Sequence, residues 1–381
     1  MDPAAPVIRV LDNGLIVEVR QEFRGNTQAR LELPVGALDA PAHVAHLAEH
    51  LVAERIGRGA GVLELDTMGA RSSAQTAPRR MDFTVAGRPE DVLRFVWLLR
   101  RSLEMTSFSD DELRAAAAAV HKEQSERARS LGHPGWVAWM AALRGKRRGV
   151  VDPLAIPDDA GERVAAFVSD MYRIDGAKLV VQSPYPPARI APHVVALWED
   201  APPGRPKPQP KAHDEPPRGV ARICVAGFEG ASFVYVGPEV PASFDEDLVA
   251  DLTEAFDMVP KEVRRRSVDG GSGVVKQVAV QHVRGVPLAE GWFFLAFADE
   301  DLPWETLERV GRDLIRSMWK IDPATLVHVA AARWYAAAVR AECAPPPARP
   351  ASPAVTPANL PAPPPARLIV LVRGASACSQ H

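Results

Sequence analysis

Proline is the feature that most limits what this chain can fold into. Of its 36 prolines, seven fall within 201–217 ("APPGRPKPQPKAHDEPP") and ten within 344–365 ("APPPARPASPAVTPANLPAPPP"). Such runs lack backbone donors and hold φ near about −65°, so neither belt can sit inside a helix or the middle of a sheet, and both read as extended connectors. The first belt divides the 381 residues into two halves of domain size. We place an N-terminal unit at 1–200, a linker at 201–217 and a C-terminal unit at 218–381. The second belt is followed by "RLIVLVRG" (367–374), a short apolar run that reads as a strand returning to a sheet.

Composition narrows the class. Apolar residues make up 47% of the chain, enough for real cores. Lys+Arg 45 against Asp+Glu 48 leaves a net charge of −3, so no global basic field exists to hold nucleic acid or an anionic membrane surface, and neither is expected as a partner. No basic-then-apolar leader opens the chain and no run approaches the roughly 18 apolar residues of a membrane span, which points to a cytoplasmic protein. Cys224, Cys343 and Cys378 are odd in number and widely spaced, which fits reduced thiols and no CxxC-type metal site.

The N-terminal half opens with "VIRVLDNGLIVEVR", two alternating runs around Asn13-Gly14 that predict a type I′ hairpin. "ARLELPVGAL" reads as a strand and "PAHVAHLAEHLVAERIG" as a helix. "SDDELRAAAAAVHKEQSERARS" begins with Ser109 and Glu112 at capping-box spacing and continues in an alanine run, a second helix. The second half repeats the plan: strand, Val-Gly, linker and amphipathic helix at 29–51 return at 231–256, with Asp251 and Ala255 standing where the first copy has His46 and His50. The fold expected is α+β, one unit duplicated.

Three of the chain's ten histidines fall within "HVAHLAEHLV" (43–52). On a helix, positions i and i+4 share a face, so His46 and His50 can direct two imidazole nitrogens at one ion. Glu49 leans over the same face. Two neutral imidazoles beside a carboxylate are the ingredients of a hydrolytic zinc site, the ion acidifying a water and the carboxylate taking its proton. A third protein ligand is still required.

At this point the residues resemble a family. The inverted HxxEH order is the mark of the inverzincins, and the N-terminal half resembles the M16 peptidases, the group of pitrilysin, insulysin and the mitochondrial processing peptidase. "LDNGLIVEVR" resembles that family's opening hairpin, "PVGALDAP" its Gly-bearing strand before the zinc helix, and "MGARSSAQT" (68–76) its Gly-x-x-x-Asn-Ala-x-Thr stretch, with Ser73 in place of Asn. The resemblance implies a Zn2+ held by His46, His50 and a glutamate of a later helix, with Glu49 as general base. Glu123 and Glu126 are both candidates for that glutamate. Residue counting alone favours Glu126; a shorter segment before "MGARSSAQT" shifts the ligand to Glu123, which we choose. Ala116 stands where some relatives have a second glutamate.

By the same resemblance, two homologous units form one half of a clamshell that admits peptides and unfolded segments. The family's partner half supplies an Arg and a Tyr that hold substrate. Residues 260–300 contain Arg264, Arg265 and Arg266 but no tyrosine. The implied protein is the zinc-bearing subunit of a heterodimeric endopeptidase, completed by a second M16-like chain, with a homodimer as the other arrangement. A leader or precursor peptide of a natural-product pathway is the substrate we expect. The alternative is a non-catalytic M16-like scaffolding or peptide-binding subunit.

Overall fold

The computed structural model describes residues 5–23, 27–40, 43–58, 65–104, 107–127, 133–153, 155–156, 159–202, 218–228, 232–238, 261–269, 272–283, 291–318 and 366–374. The proline belt 344–365, most of the belt 201–217 and the repeated helix at 251–256 lie outside them. The fold is α+β, and the chain splits into two compact units, Met1–Arg127 with Leu154–His213, and Ala128–Pro153 with Asp214–His381.

The first unit contains β1 (Val7–Val10), β2 (Ile16–Gln21), β3 (Thr27–Leu33), α1 (Val44–Gly57), β4 (Arg71–Thr76), β5 (Met81–Gly87), α2 (Val92–Glu104) and α3 (Asp110–Arg127). After a segment belonging to the other unit come α5 (Ala160–Met171), β7 (Lys178–Ser183) and α6 (Pro187–Ala196). That intervening segment holds α4 (His133–Leu143) and β6 (Arg148–Val151). The six strands of the first unit lie in the order β1-β2-β7-β3-β5-β4. Period-2 patterning decides which face is covered. Along β3, Ala29, Leu31 and Leu33 are fully buried and the residues between them only partly so. Register extends this into rows: Leu31 lies opposite Leu179 and Phe83, and Ala29 opposite Val181 and Val85. All of these belong to one apolar cluster with Leu47, Leu51, Phe95, Leu98 and Val164 of the helices. Each of these side chains larger than alanine contributes about 1.5–3 kcal/mol through burial.

The second unit contains β8 (Gly219–Val225), β9 (Ser232–Pro238), α7 (Lys261–Asp269), β10 (Gln277–Val283), β11 (Gly291–Ala298), α8 (Trp304–Met318) and β12 (Ala366–Gly374). Its sheet runs β6-β8-β12-β9-β11-β10. Numbered within its own unit, each sheet reads first, second, sixth, third, fifth, fourth: the same unusual order twice. In both, the last strand lies parallel to the second and antiparallel to the third. The "RLIVLVRG" strand therefore does return to a sheet, as an interior strand with Val370, Leu371 and Val372 fully buried.

The copies differ in their first strand, which moves the boundary away from a cut at residue 200. β1 reaches β2 through a short turn and pairs antiparallel. Its counterpart β6 pairs parallel with β8, because α5, β7 and α6 of the first unit intervene in the chain. Residues 128–153 accordingly join the second unit, where Ala138, Trp139 and Ala142 pack with Phe233 and Tyr235.

Two local expectations are corrected. The β1–β2 connection is not a type I′ turn, which needs positive φ at both central residues: among the described residues, His43 alone of the non-glycines has positive φ. Asn13 instead turns inward, its amide donating to the carbonyls of Trp198 at 2.7 Å and Ala201 at 3.0 Å while its oxygen accepts from Leu15 N. Cys224, 1% exposed in β8, is disulfide-bonded rather than a free thiol. Cys343 and Cys378 lie outside the described residues. Wide spacing in sequence carries no information about distance in the fold, which is what permits a disulfide. None of the described helices is long and apolar enough to cross a membrane.

Candidate metal centre

The route from β3 into α1 is fixed by Gly36. A Cβ there would lie 2.2 Å from the Ala77 carbonyl and 2.8 Å from the Arg79 amide, so only glycine lets this loop press against the β4–β5 turn. The contact is sealed by Ala37 N donating to Ala77 O at 2.9 Å and Leu38 N to Pro78 O at 2.7 Å. Helix α1 then starts beside the end of β4, and Thr76 comes within reach of Glu49.

Along α1, Val44, Leu47, Leu51 and Ile56 face the core, which leaves His46 and His50 partly exposed on a neighbouring stripe. Helix α3 supplies the opposing acid. It begins at a formed capping box, with Ser109 N donating to Glu112 Oε2 and Glu112 N to Ser109 Oγ. Glu112 also receives Arg55 of α1, whose Nε lies 3.1 Å away and whose guanidinium covers the Phe108 ring. Arg55 is 5% exposed, so this ion pair works as an internal clasp between the two helices. Val120 and Ala116 bury the side of α3 toward the core, and Glu123 emerges at its end.

Three donors converge there. His50 Nε2 lies 3.2 Å from His46 Nε2 and 2.9 Å from Glu123 Oε2, and His46 Nε2 lies 3.3 Å from the same oxygen. Bonds of roughly 2.0–2.1 Å at tetrahedral angles separate ligand atoms by about 3.3–3.4 Å, so two nitrogens and one oxygen form the face of a zinc-sized tetrahedron. Burial lowers the His46 pKa to about 4, the positive charges of His50 and Arg127 acting in the same direction. The imidazole is neutral at pH 7 and offers a lone pair. Three lone-pair donors this close repel one another unless protons or a cation lie between them, and the set therefore fits a divalent ion.

The supporting contacts were not singled out in the sequence. The Arg127 guanidinium pairs with Glu123 Oε1, one turn on, leaving Oε2 toward the histidines. The Gln124 amide meets His46 Nδ1 at 3.2 Å. Metal binding through Nε2 requires the proton on Nδ1, so the amide must then present its oxygen. Burial pushes Glu123 up, but His46, Arg127 and His50 outweigh it and hold the carboxyl below its ordinary value. Both helpers had a legible signal, Arg127 at i+4 from a ligand candidate and Gln124 next to it.

Glu49 is 8% exposed and accepts a hydrogen bond from Thr76 Oγ1. Burial raises its pKa, and the Thr76 bond offsets only part of the shift. Tyr172, whose phenol is pushed well up by burial and further by the Glu49 charge, donates to Met81 Sδ. Thr76 lies within the quoted "MGARSSAQT" stretch but had been given no role. Ser73 is exposed on β4. Glu126 is exposed, and neither it nor His43 or His121 joins the cluster among the described residues. Trp139 is a core residue of the second unit. Arg264–Arg266 lie on α7.

No family model and no curated protein matches the chain. Among solved structures it is similar over most of its length to a protease from Helicobacter pylori, at 16% identity and a TM-score of 0.65, covering 88% of this chain and 86% of that one. An M16-like peptidase from Alicyclobacillus acidocaldarius matches at 15% identity and a TM-score of 0.56, with 88% and 84% covered. The first half of the periplasmic protease PqqL from Escherichia coli matches at 13% identity and a TM-score of 0.57, with 88% and 78% covered. Against whole PqqL the chain covers 40% of the protein. At these identities the likeness establishes the fold.

Proposed function

From the premise that this chain has the fold of the M16 peptidases, we propose that it is a zinc-dependent endopeptidase subunit acting on peptides or unfolded segments. The triangle of His46 Nε2, His50 Nε2 and Glu123 Oε2, with Glu49 one residue from a ligand, carries the reading. These three residues would hold the ion. Zinc, when bound, acidifies a water and polarises the scissile carbonyl. Glu49 accepts the proton of the attacking water and passes it to the departing amine. Burial favours this, since it raises the Glu49 pKa and so lets the carboxylate bind the proton more firmly. Thr76 fixes the carboxylate by donating to Oε2.

Substrate geometry follows from the sheet. Strand β4 lies at its edge, so one row of its backbone donors and acceptors is unpaired within the sheet. An extended peptide laid along β4 would reach Thr76 and Glu49 at the strand's end. That selects unfolded segments over folded proteins. The chain corresponds to one half of PqqL in length, and residues 260–300 contain no tyrosine. We therefore assign the completing half to a second M16-like subunit, with a leader or precursor peptide as substrate.

The test uses full-length chain, zinc-loaded, with and without candidate partner halves, on an unfolded peptide mixture. Cleavage is expected, and Glu49→Gln should lower kcat by about 10²–10⁴ while the zinc content stays unchanged. Full activity in Glu49→Gln would remove the assigned base. Zinc retained without cleavage, whichever half is added, would leave a binding subunit.

A further inference from the structure

A cavity of about 550 Å³ opens in the first unit where β2, β5 and β7 end and β3 and β4 begin. Its described lining includes Arg71, Arg88, Thr27, Phe23 and Glu22. Arg71 is the first residue of β4 and Thr76, which binds Glu49, is the last. Both guanidiniums are exposed, and among the described residues neither has an ion pair or hydrogen bond. Phe23, 74% exposed, adds an apolar wall. Among the described lining residues, two arginines stand against the one carboxylate of Glu22, which makes this lining cationic.

We infer that this cavity is a substrate subsite for a carboxylate, that of an acidic side chain next to an apolar one. The inference rests on the peptide-hydrolase reading above and deepens it. Arginine matches carboxylate oxygens in paired, charge-assisted hydrogen bonds. Five residue steps separate Arg71 from Thr76; at about 3.3 Å per residue they span roughly 17 Å. A peptide strand along β4 places its acid at Arg71 and Arg88 when the bond about five residues away lies beside Glu49. The subsite would set where a substrate is cut, at a fixed spacing from its acidic residue.

The experiment measures binding separately from hydrolysis. Labelled neutral peptides carrying a single Glu moved stepwise along the sequence are titrated by fluorescence anisotropy against full-length, zinc-loaded Glu49→Gln protein. Affinity should peak at one position of the acid, about 10-fold above the same peptide with Gln, and the difference should shrink with added salt. Charge reversal at both arginines (Arg71→Glu with Arg88→Glu) should invert the preference toward a Lys peptide, an outcome that misfolding cannot mimic. Peptides ending at that position, as free acid or amide, separate a side chain from a chain terminus as source of the carboxylate. Affinity independent of the acid's position, or a Glu preference that survives charge reversal, overturns the subsite. Wild-type cleavage of the same peptides is scored apart: cutting without acid dependence removes the subsite and keeps the hydrolase, whereas acid-dependent binding without cutting does the reverse.

Discussion

At the scale of single residues, the proposed metal centre depends on how its three donor side chains are held. Arg127 occupies Glu123 Oε1 and Gln124 meets His46 Nδ1, so both would act through a proposed ligand. Arg127→Ala frees the carboxylate to rotate and should weaken zinc binding by about 10–100-fold with the fold intact, read by competition with a metal chelator. Unchanged affinity would make Arg127 a surface partner only. The Arg55–Glu112 clasp gives a pH signature. Arg55, followed by the Ser109 bonds, lowers the Glu112 pKa to about 2 from an ordinary 4.5. A depressed carboxyl stabilises the fold fully above 4.5, and the contribution fades as pH falls through that value toward 2. In metal-free protein, Glu112→Gln should therefore cost about 1–2 kcal/mol of unfolding free energy at pH 7, and its deficit against wild type should narrow on acidification from pH 4.5. A deficit constant with pH would contradict the charge-based clasp. Sequence made the histidine pair visible because i, i+4 spacing fixes a helix face; the clasp was not, because Arg55 and Glu112 meet only through packing of two helices.

At the scale of elements, legibility followed the range of the forces involved. The capping box at Ser109–Glu112 formed as read, because its atoms are three residues apart. The turn at Asn13-Gly14 was misjudged because its side chain is claimed by carbonyls at Trp198 and Ala201, nearly 190 residues away. A distant partner outweighed a local preference there. Gly36 shows the same dependence: its φ of −157° is ordinary for any residue, and only the nearness of the β4–β5 turn demands glycine. Gly36→Ala should lift the start of α1 from that turn, lowering stability by about 1–3 kcal/mol and separating Glu49 from Thr76. Urea unfolding together with zinc affinity checks this; unchanged values for both would show that the turn yields without moving the helix.

At the scale of the whole molecule, duplication is the organising fact. Two sheets share one strand order, and the His46, His50 and Glu123 cluster lies on helices of the first unit. The sequence hinted at this through two matching strand–helix stretches, but the exchange of β6 into the second sheet was hidden, since strand pairing across an intervening unit leaves no local pattern. The proposed hydrolytic role and partner half both stand on one divalent ion that residues of α1 and α3 would hold. The most direct measurement is zinc content and X-ray absorption of the purified full-length chain beside His46→Ala, His50→Ala and Glu123→Ala. The account predicts one zinc per chain with two imidazole nitrogens and carboxylate or water oxygens at about 2.0–2.2 Å, lost in each variant. A wild-type chain that takes up no zinc, or variants that keep it with the same coordination, would contradict it.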